Sequence, residues 1–477
     1  MSPRAYLCLW LIACLPRLAL AIVFFHHPIA LDDMYQYDML ARSILAGNGY
    51  RWYSQADLEV LRPYYSQFVD LDEIHVPPEG LETTFRAPGY PLFLALIYSL
   101  TPEEERFGWA RVVQALFTAL LSPISALIAI RSGLRPRTAT LAGLGIAFYP
   151  ILLFYPVGLA SENLFIPLLA VSFLALLQTI KTNKWLPTVL SGILLAACML
   201  TRSICILFAI LGVVWAYFSH RLDRQKAAVV LLIVFGLCLP WSIRNTRLMH
   251  KPTFVETSLG YNLFVSYHPE GNGGFVSEVA IQSMTILDDA ERDRYTLQST
   301  WGFILNDPGE ALLRLFRRAA FYFGVEDREL LYFYGNNFFG NIPQPWLLLS
   351  YLWLITPWLG TLFLSPLGLL LASDRQSVSL FLLLFMGYAL PHFFILSEPR
   401  FHLALVPAMM PFAVYACVAL INKPSCPSHP WLKSRFLGIV LPTWIILTLL
   451  TVWNFALHWN RLLAIMGPEG HKIYPSY

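Results

Sequence analysis

Long apolar runs dominate the chain, and two long polar stretches interrupt them. A bilayer's hydrocarbon core is about 30 Å thick, so about 20 apolar residues in a helix can cross it. Runs of that kind fall at roughly 5–25, 109–130, 138–157, 161–179, 185–201, 203–219, 226–243, 346–372, 377–396, 401–421 and 436–457. The pattern predicts an all-α polytopic membrane protein of about 11 transmembrane helices. It divides the chain into a transmembrane module at 1–243, which contains the polar excursion 26–108, a second excursion at 244–345, and C-terminal transmembrane helices at 346–477. No repeat and no low-complexity tract is visible. The apolar run 89–100 is left out of the count. It is short for a span, holds Pro91 and stops at Thr101-Pro102 before three glutamates, which reads as an interfacial or re-entrant segment.

Composition agrees with this pattern: 57% of residues are hydrophobic and only 13% charged, where a soluble domain carries about 25% charged residues. Charge placement then orients the chain. With 89–100 unspanned, the segments 131–137, 181–184, 220–226, 374–375 and 422–435 fall on the same side as Arg4. Together they hold 13 Lys/Arg against two acids, Asp223 and Asp374. The positive-inside rule makes that side cytoplasmic, with the N-terminus inside and the C-terminus outside. The run 5–25 is too long for a secretory signal and shows no small-residue cleavage site, so it is expected to remain as the first span. Six of the seven cysteines lie in apolar runs, and Cys426 falls in a segment placed inside. No CxxC pair occurs, so neither disulfides nor a thiolate metal site is expected.

Both polar excursions then face outward. The first begins with Asp32-Asp33, where a helix leaves the bilayer. Met34, Tyr37, Leu40, Ala41, Ile44 and Leu45 follow at helical spacing, and Gly47 closes that helix. The excursion returns to the surface with Arg86-Ala-Pro-Gly-Tyr-Pro91. The second opens with Pro240-Trp241 and carries a helix start at Asp307-Pro308-Gly309-Glu310. The apolar helix after it, with Arg314, Arg317 and Arg318 interspersed, suits a position on the bilayer surface among lipid phosphates or packed on another loop.

Every polar cluster with chemical potential falls on the outer side: Asp32/Asp33, Arg86, Ser161-Glu162-Asn163, Thr201-Arg202, Arg244-Asn245 and Ser397-Glu398-Pro399-Arg400. Glu162 and Arg202 stand at the ends of apolar runs, which points to a polar cavity or to snorkelling at the interface. Arg17, within the first span, invites a pair with a buried carboxylate. Arginines with one or two carboxylates at a bilayer surface suit a sugar carried on a lipid phosphate. Guanidinium groups clamp the phosphate, and one carboxylate serves as base toward an acceptor hydroxyl. Hydrolysis would need two opposed carboxylates, and the neighbours Asp32 and Asp33 point different ways. His26 and His27 beside the aspartates leave room for a divalent metal, but an interfacial role is the more ordinary reading, so no cofactor is required. Trp52-Tyr53 and Tyr64-Tyr65 suit sugar stacking or interface anchoring equally. Nothing points to nucleic acid.

These residues fall into an order that resembles the GT-C membrane glycosyltransferases, within them the protein O-mannosyltransferase and lipid A aminoarabinose transferase family. The motifs are D-x-x-x-Y-x-x-L-A at 33–41, L-x-G-x-G-Y at 45–50, R-A-P-G-Y-P at 86–91, S-E-N-L at 161–164, P-W-x-x-R-N at 240–245, G-x-N-L at 260–263 and E-x-R-F at 398–401. The resemblance implies a GT-C fold with extracytoplasmic juxtamembrane helices and Asp33 as the catalytic base. Arg86 would contact the carrier phosphate, in a position where the aminoarabinose transferase has lysine. Tyr37, Glu162, Arg202, Arg244, Asn245, Asn262, Glu398 and Arg400 are the expected substrate-binding residues. The implied partners are a polyprenyl-phosphate sugar donor and a protein, lipid or polysaccharide acceptor, with the site facing outward from a bacterial inner membrane. Two other classes stay open: a transporter or flippase for a lipid-linked sugar, which favours repeated halves and mid-membrane charge, and a non-catalytic lipid-binding membrane subunit.

Overall fold

The computed structural model describes residues 1–66, 70, 75–326, 328–335, 337, 339–422, 434 and 436–472. The chain is mostly helical. Among the described residues, seven helices have the length and composition to cross a membrane: Pro3–Val23, Glu103–Arg131, Glu162–Thr182, Arg224–Met249, Gln344–Leu371, Arg375–Phe394 and Phe436–Ile465. A broken pair, Pro136–Ala147 and Pro150–Val157, bends by 57° and makes an eighth if counted as one span. Each of the eleven expected spans falls on a helix. Three of them, Trp185–Thr201, Ser203–Phe218 and Val406–Ile421, are shorter than the others. By length and composition alone, seven or eight of these helices qualify as crossings. Gly89–Tyr98, with 10 residues, rises only about 15 Å at 1.5 Å per residue, half the hydrocarbon thickness.

Close backbone approaches hold the membrane core together. A Cβ on Gly368 would meet the Phe412 carbonyl oxygen at 1.9 Å, so the helices Gln344–Leu371 and Val406–Ile421 touch at their backbones there. Gly387 likewise lies against the backbone of Phe208, and it sits inside a π-turn, Phe385–Ala389, that interrupts the helix carrying Tyr388 and His392.

Arg17 is fully buried, yet among the described residues it pairs with no carboxylate. Its guanidinium donates to the carbonyl oxygens of Ala13 (2.9 Å), Ala147 (2.8 Å) and Ile146 (3.1 Å). The last turn of a helix leaves carbonyls without intrahelical partners, and the break after Ala147 frees them inside the protein. An arginine there satisfies those carbonyls and faces their negative end of the helix dipole. This replaces the expected buried ion pair.

The two polar excursions fold together. In the first, helix Asp33–Leu45 is capped by Asp32, whose side chain accepts from Met34 N (2.9 Å). A two-strand hairpin pairs Arg51–Trp52 with Leu81–Glu82, and helix Gln55–Tyr65 starts on a Ser54/Asp57 capping box. Asp57 also binds Tyr35 and Arg42. In the second, helices Ser258–Tyr267, Ser277–Met284, Asp289–Asn306 and Pro308–Tyr322 follow in turn, the last capped by Asp307. Met39, Trp52 and Phe85 of the first excursion share one apolar core with Trp241, Tyr261 and Met284 of the second. Arg314 and Arg318 of the last helix are buried against carbonyl oxygens and Tyr267, with only Arg317 part-exposed, so that helix packs on its neighbours through its arginines. The segment Pro240–Asn245, expected to open the second excursion, is instead inside helix Arg224–Met249.

Candidate functional site

Asp32 and Asp33 have separate tasks. Asp32 is the helix cap, which frees Asp33, the first helical residue, to project elsewhere. It projects into a cavity of about 350 Å³ where one set of ends of the membrane helices meets both excursions. Arg86 donates to Asp33 Oδ1, and Arg400 Nη2 lies 3.6 Å from Asp33 Oδ2. The carboxylate thus stands between two guanidinium groups that arrive from sequence positions 53 and 367 residues away.

Each of those guanidinium groups is itself held. Arg86 donates from Nε (3.0 Å) and Nη2 (2.6 Å) to Gln36 Oε1, one turn along the helix from Asp33. It also lies over the Tyr37 ring, 5.3 Å from its centroid. Tyr37 packs edge-on against Tyr90 and so braces Arg86 as well as lining the cavity. Burial alone would lower the Arg86 pKa, but the Asp33 carboxylate outweighs burial and raises it, so Arg86 stays charged. Arg400 pairs with Glu398 at 2.6 Å and lies 3.9 Å from Glu162. Burial again opposes its charge, and Glu398 followed by Glu162 restores it.

Glu162, 5% exposed, opens helix Glu162–Thr182 and forms a 2.5 Å pair with Arg202. Arg202 lies over the Phe401 ring, 5.3 Å from its centroid. Both residues line the cavity, as do Asn262 and Arg400. Their place beside a polar cavity, rather than snorkelling toward water, explains why an apolar run ends on each of them.

Three expected binding residues stand elsewhere. Arg244 and Asn245 are outside the cavity lining. Arg244 donates to the carbonyl oxygens of Thr83 (2.8 Å) and Tyr50 (3.2 Å), and Asn245 donates to Val255 O (2.8 Å). Arg244 ties the second excursion to the first and Asn245 holds the chain at Val255, because the helix that carries them runs on to Met249 and turns their side chains toward backbone. Glu398 also lies behind the lining and reaches the cavity through Arg400. Trp52 and Tyr53 are buried in the apolar core shared by the two excursions, away from the cavity lining. The side chains of Tyr64 and Tyr65 lie outside the described residues, as does Cys426. His26 and His27 stack edge-on with Phe25 and Phe24 and do not line the cavity. Among the described residues no group of three or more metal-ligating side chains occurs.

Glu256, Ser203, Tyr261 and His392 also line the cavity, and sequence reasoning passed over all four. Glu256 lies in an unremarkable PTFVETS stretch, where only the fold of the second excursion brings it against Ser203.

Residues 85–243, about a third of the chain, match the profile of the dolichyl-phosphate-mannose-protein mannosyltransferases, a GT-C family. No curated protein matches the chain as a whole. Among solved structures, it is similar to the oligosaccharyltransferase of Archaeoglobus fulgidus tethered to an acceptor peptide. That similarity has 14% identity over 100% of this chain and 60% of that one, with a TM-score of 0.48. The same archaeal enzyme, AglB, in complex with an inhibitory peptide and a dolichol-phosphate gives 16% identity over 99% and 60%, with a TM-score of 0.45. ArnT from Cupriavidus metallidurans bound to undecaprenyl phosphate gives 14% identity over 88% and 79%, with a TM-score of 0.37. The chain spans about 60% of the length of the archaeal structures.

Proposed function

We propose that this chain is an integral membrane glycosyltransferase that moves a sugar from a polyprenyl-phosphate donor to an acceptor hydroxyl at the outer face of a bacterial inner membrane. The observation that carries the reading is the placement of Asp33 between Arg86 and Arg400 in one cavity at the ends of the membrane helices away from the basic segments. A donor phosphate entering there offers oxygens to both guanidinium groups, which bind phosphate in a fork geometry and stay charged. Their turn toward the phosphate leaves the Asp33 carboxylate free to accept a proton.

The acceptor oxygen then attacks the anomeric carbon. The bond from that carbon to the phosphate oxygen breaks, and polyprenyl phosphate leaves with the electron pair. The hydroxyl proton passes to Asp33. The clamped phosphate is a good leaving group and needs no general acid. Attack opposite the leaving group inverts the anomeric carbon. Glu162 and Arg202 neutralise each other at the cavity wall and leave Arg86 and Arg400 as the anion-binding pair.

The test is release of polyprenyl phosphate from a sugar-charged donor by purified protein. Asp33→Asn keeps the shape and is expected to lose roughly two to four orders of magnitude in rate, with donor binding retained. Asp32→Asn keeps a good helix cap and is expected to stay near wild type. Wild-type turnover in Asp33→Asn would remove Asp33 as base and overturn the mechanism.

A further inference from the structure

Four carboxylates stand in or directly behind the cavity wall, and three of them are paired with arginine. Asp33 meets Arg86 and Arg400, Glu162 meets Arg202, and Glu398 meets Arg400. Glu256 is the exception. Its Oε1 accepts from both Ser203 N (3.1 Å) and Ser203 Oγ (2.6 Å). Among the described residues no arginine, lysine or hydrogen-bond donor meets its Oε2. Glu256 is half-buried, and that oxygen is not among the buried polar atoms left without a partner, so it is open to a ligand. Its backbone is fixed as well: the next residue, Thr257, donates its N–H to Thr84 O at 3.0 Å, two residues before Arg86.

A carboxylate held by one oxygen, with the other open to a cavity, has already lost most of its rotamer freedom, so a partner that meets it adds little ordering cost. An ionised carboxylate only accepts hydrogen bonds. We infer that Glu256 reads the transferred sugar, its open Oε2 accepting a hydrogen bond from a hydroxyl or ammonium group on that sugar. This rests on the proposed function for the identity of the donor. It gives the cavity two recognition elements that act on different parts of one molecule: Arg86 and Arg400 on the phosphate, Glu256 on the sugar.

The two parts separate in a binding experiment. Undecaprenyl phosphate alone, the same carrier with mannose and the same carrier with aminoarabinose are the three probes, titrated against wild type and Glu256→Gln in detergent. In Glu256→Gln the amide carbonyl still accepts from Ser203, while its N–H₂ faces the cavity as a donor and no longer accepts. Wild type is expected to bind at least one sugar-charged carrier more tightly than the bare one. Glu256→Gln is expected to weaken that carrier by ~10–100-fold, as loss of a hydrogen bond to a charged group does, with bare-carrier affinity unchanged. A larger loss with aminoarabinose than with mannose identifies an ammonium as the partner, and the reverse identifies a hydroxyl. Ser203→Ala, which loosens the anchor without touching Oε2, is expected to show the same signature at smaller size. Equal weakening of all three probes, or no weakening of any, overturns the inference and leaves the phosphate clamp intact. Failure of wild type to bind even the bare carrier strikes the proposed function, and the inference falls with it.

Discussion

At the residue scale, the site depends on geometry as much as on charge. Arg86 gives two donors to one amide oxygen of Gln36 and one to Asp33, an arrangement that a planar fork can make and a single ammonium cannot. Arg86→Ala is expected to weaken polyprenyl-phosphate binding by about 1.5–3 kcal/mol, the size of a lost hydrogen bond to a charged group, because it removes one of the two guanidinium groups of the proposed phosphate clamp while Arg400 still faces Asp33. Arg86→Lys is expected to fall between alanine and wild type. Calorimetric titration of detergent-solubilised variants with undecaprenyl phosphate checks both, and wild-type affinity in the alanine variant would remove Arg86 from the site. That Asp33 and Arg86 come to one site was legible in the sequence because each lies in a motif at a membrane exit, but their ion pair was not. The division of labour between Asp32 and Asp33 follows from capping chemistry, which the sequence leaves ambiguous when two aspartates adjoin. Arg244 shows the limit of that reading. It carries the same side chain as Arg86, yet the continuation of the helix beyond Pro240 aims it at backbone carbonyls.

At the element scale, the second excursion fixes the loop that carries Arg86. Arg292 is 2% exposed, pairs with Asp289 and lies over the rings of Trp52 and Phe85, 5.6 and 4.9 Å from their centroids. Asp289 Oδ2 in turn accepts from Thr84 N (2.5 Å), Thr83 Oγ1 (2.8 Å) and Thr84 Oγ1 (3.1 Å). The Thr83 and Thr84 backbone is thus held from one helix of the second excursion, with Arg244 on Thr83 O and Tyr50 on the Arg86 and Ala87 carbonyls. Removing one member of this buried pair strands the other charge, a change that costs about 3–5 kcal/mol. Asp289→Ala is therefore expected to lower thermal stability and to release the Arg86 loop. Partial proteolysis is expected to cut the first excursion faster in Asp289→Ala than in wild type, while Glu278→Ala, at an exposed position in the first turn of helix Ser277–Met284, leaves the cutting rate unchanged. Equal rates in both variants would show that the clamp does not hold the loop. None of this was legible in the sequence. Asp289 and Thr84 are 205 residues apart, and periodicity within either segment carries no information about the other. The helices themselves were legible, since a 3.6-residue apolar pattern is local. Their precise lengths were less so, because the proline breaks at Pro150 and Pro240 have opposite outcomes, a 57° bend in one case and a continuous helix in the other.

At the scale of the whole molecule, charge and cavity are set against each other across the membrane. The basic segments 131–137, 181–184 and 220–226 lie at one end of the helix bundle. There Lys181 donates to the Arg131 carbonyl and pairs with Asp374 across three connections. The cavity lies at the other end, beneath the joined excursions. The proposed function expects the basic end at the cytoplasmic leaflet, where anionic lipid attracts it, and the cavity end outside, where a lipid-borne sugar and its acceptor would meet. This arrangement makes a topology prediction that the number of short spans does not affect, because it concerns only which end faces out. Arg135 and Arg137 are exposed in the turn before helix Pro136–Ala147 and at its start. Cysteine at either position is expected to resist a membrane-impermeant maleimide in intact cells and to react once the membrane is opened. Cysteine at the exposed Glu104, beside the start of helix Arg106–Ala119, is expected to react in intact cells. Labelling of the 135 and 137 positions from outside, with 104 protected, would invert the molecule. It would place the Asp33 cavity on the cytoplasmic face, and with it the side from which an acceptor must come.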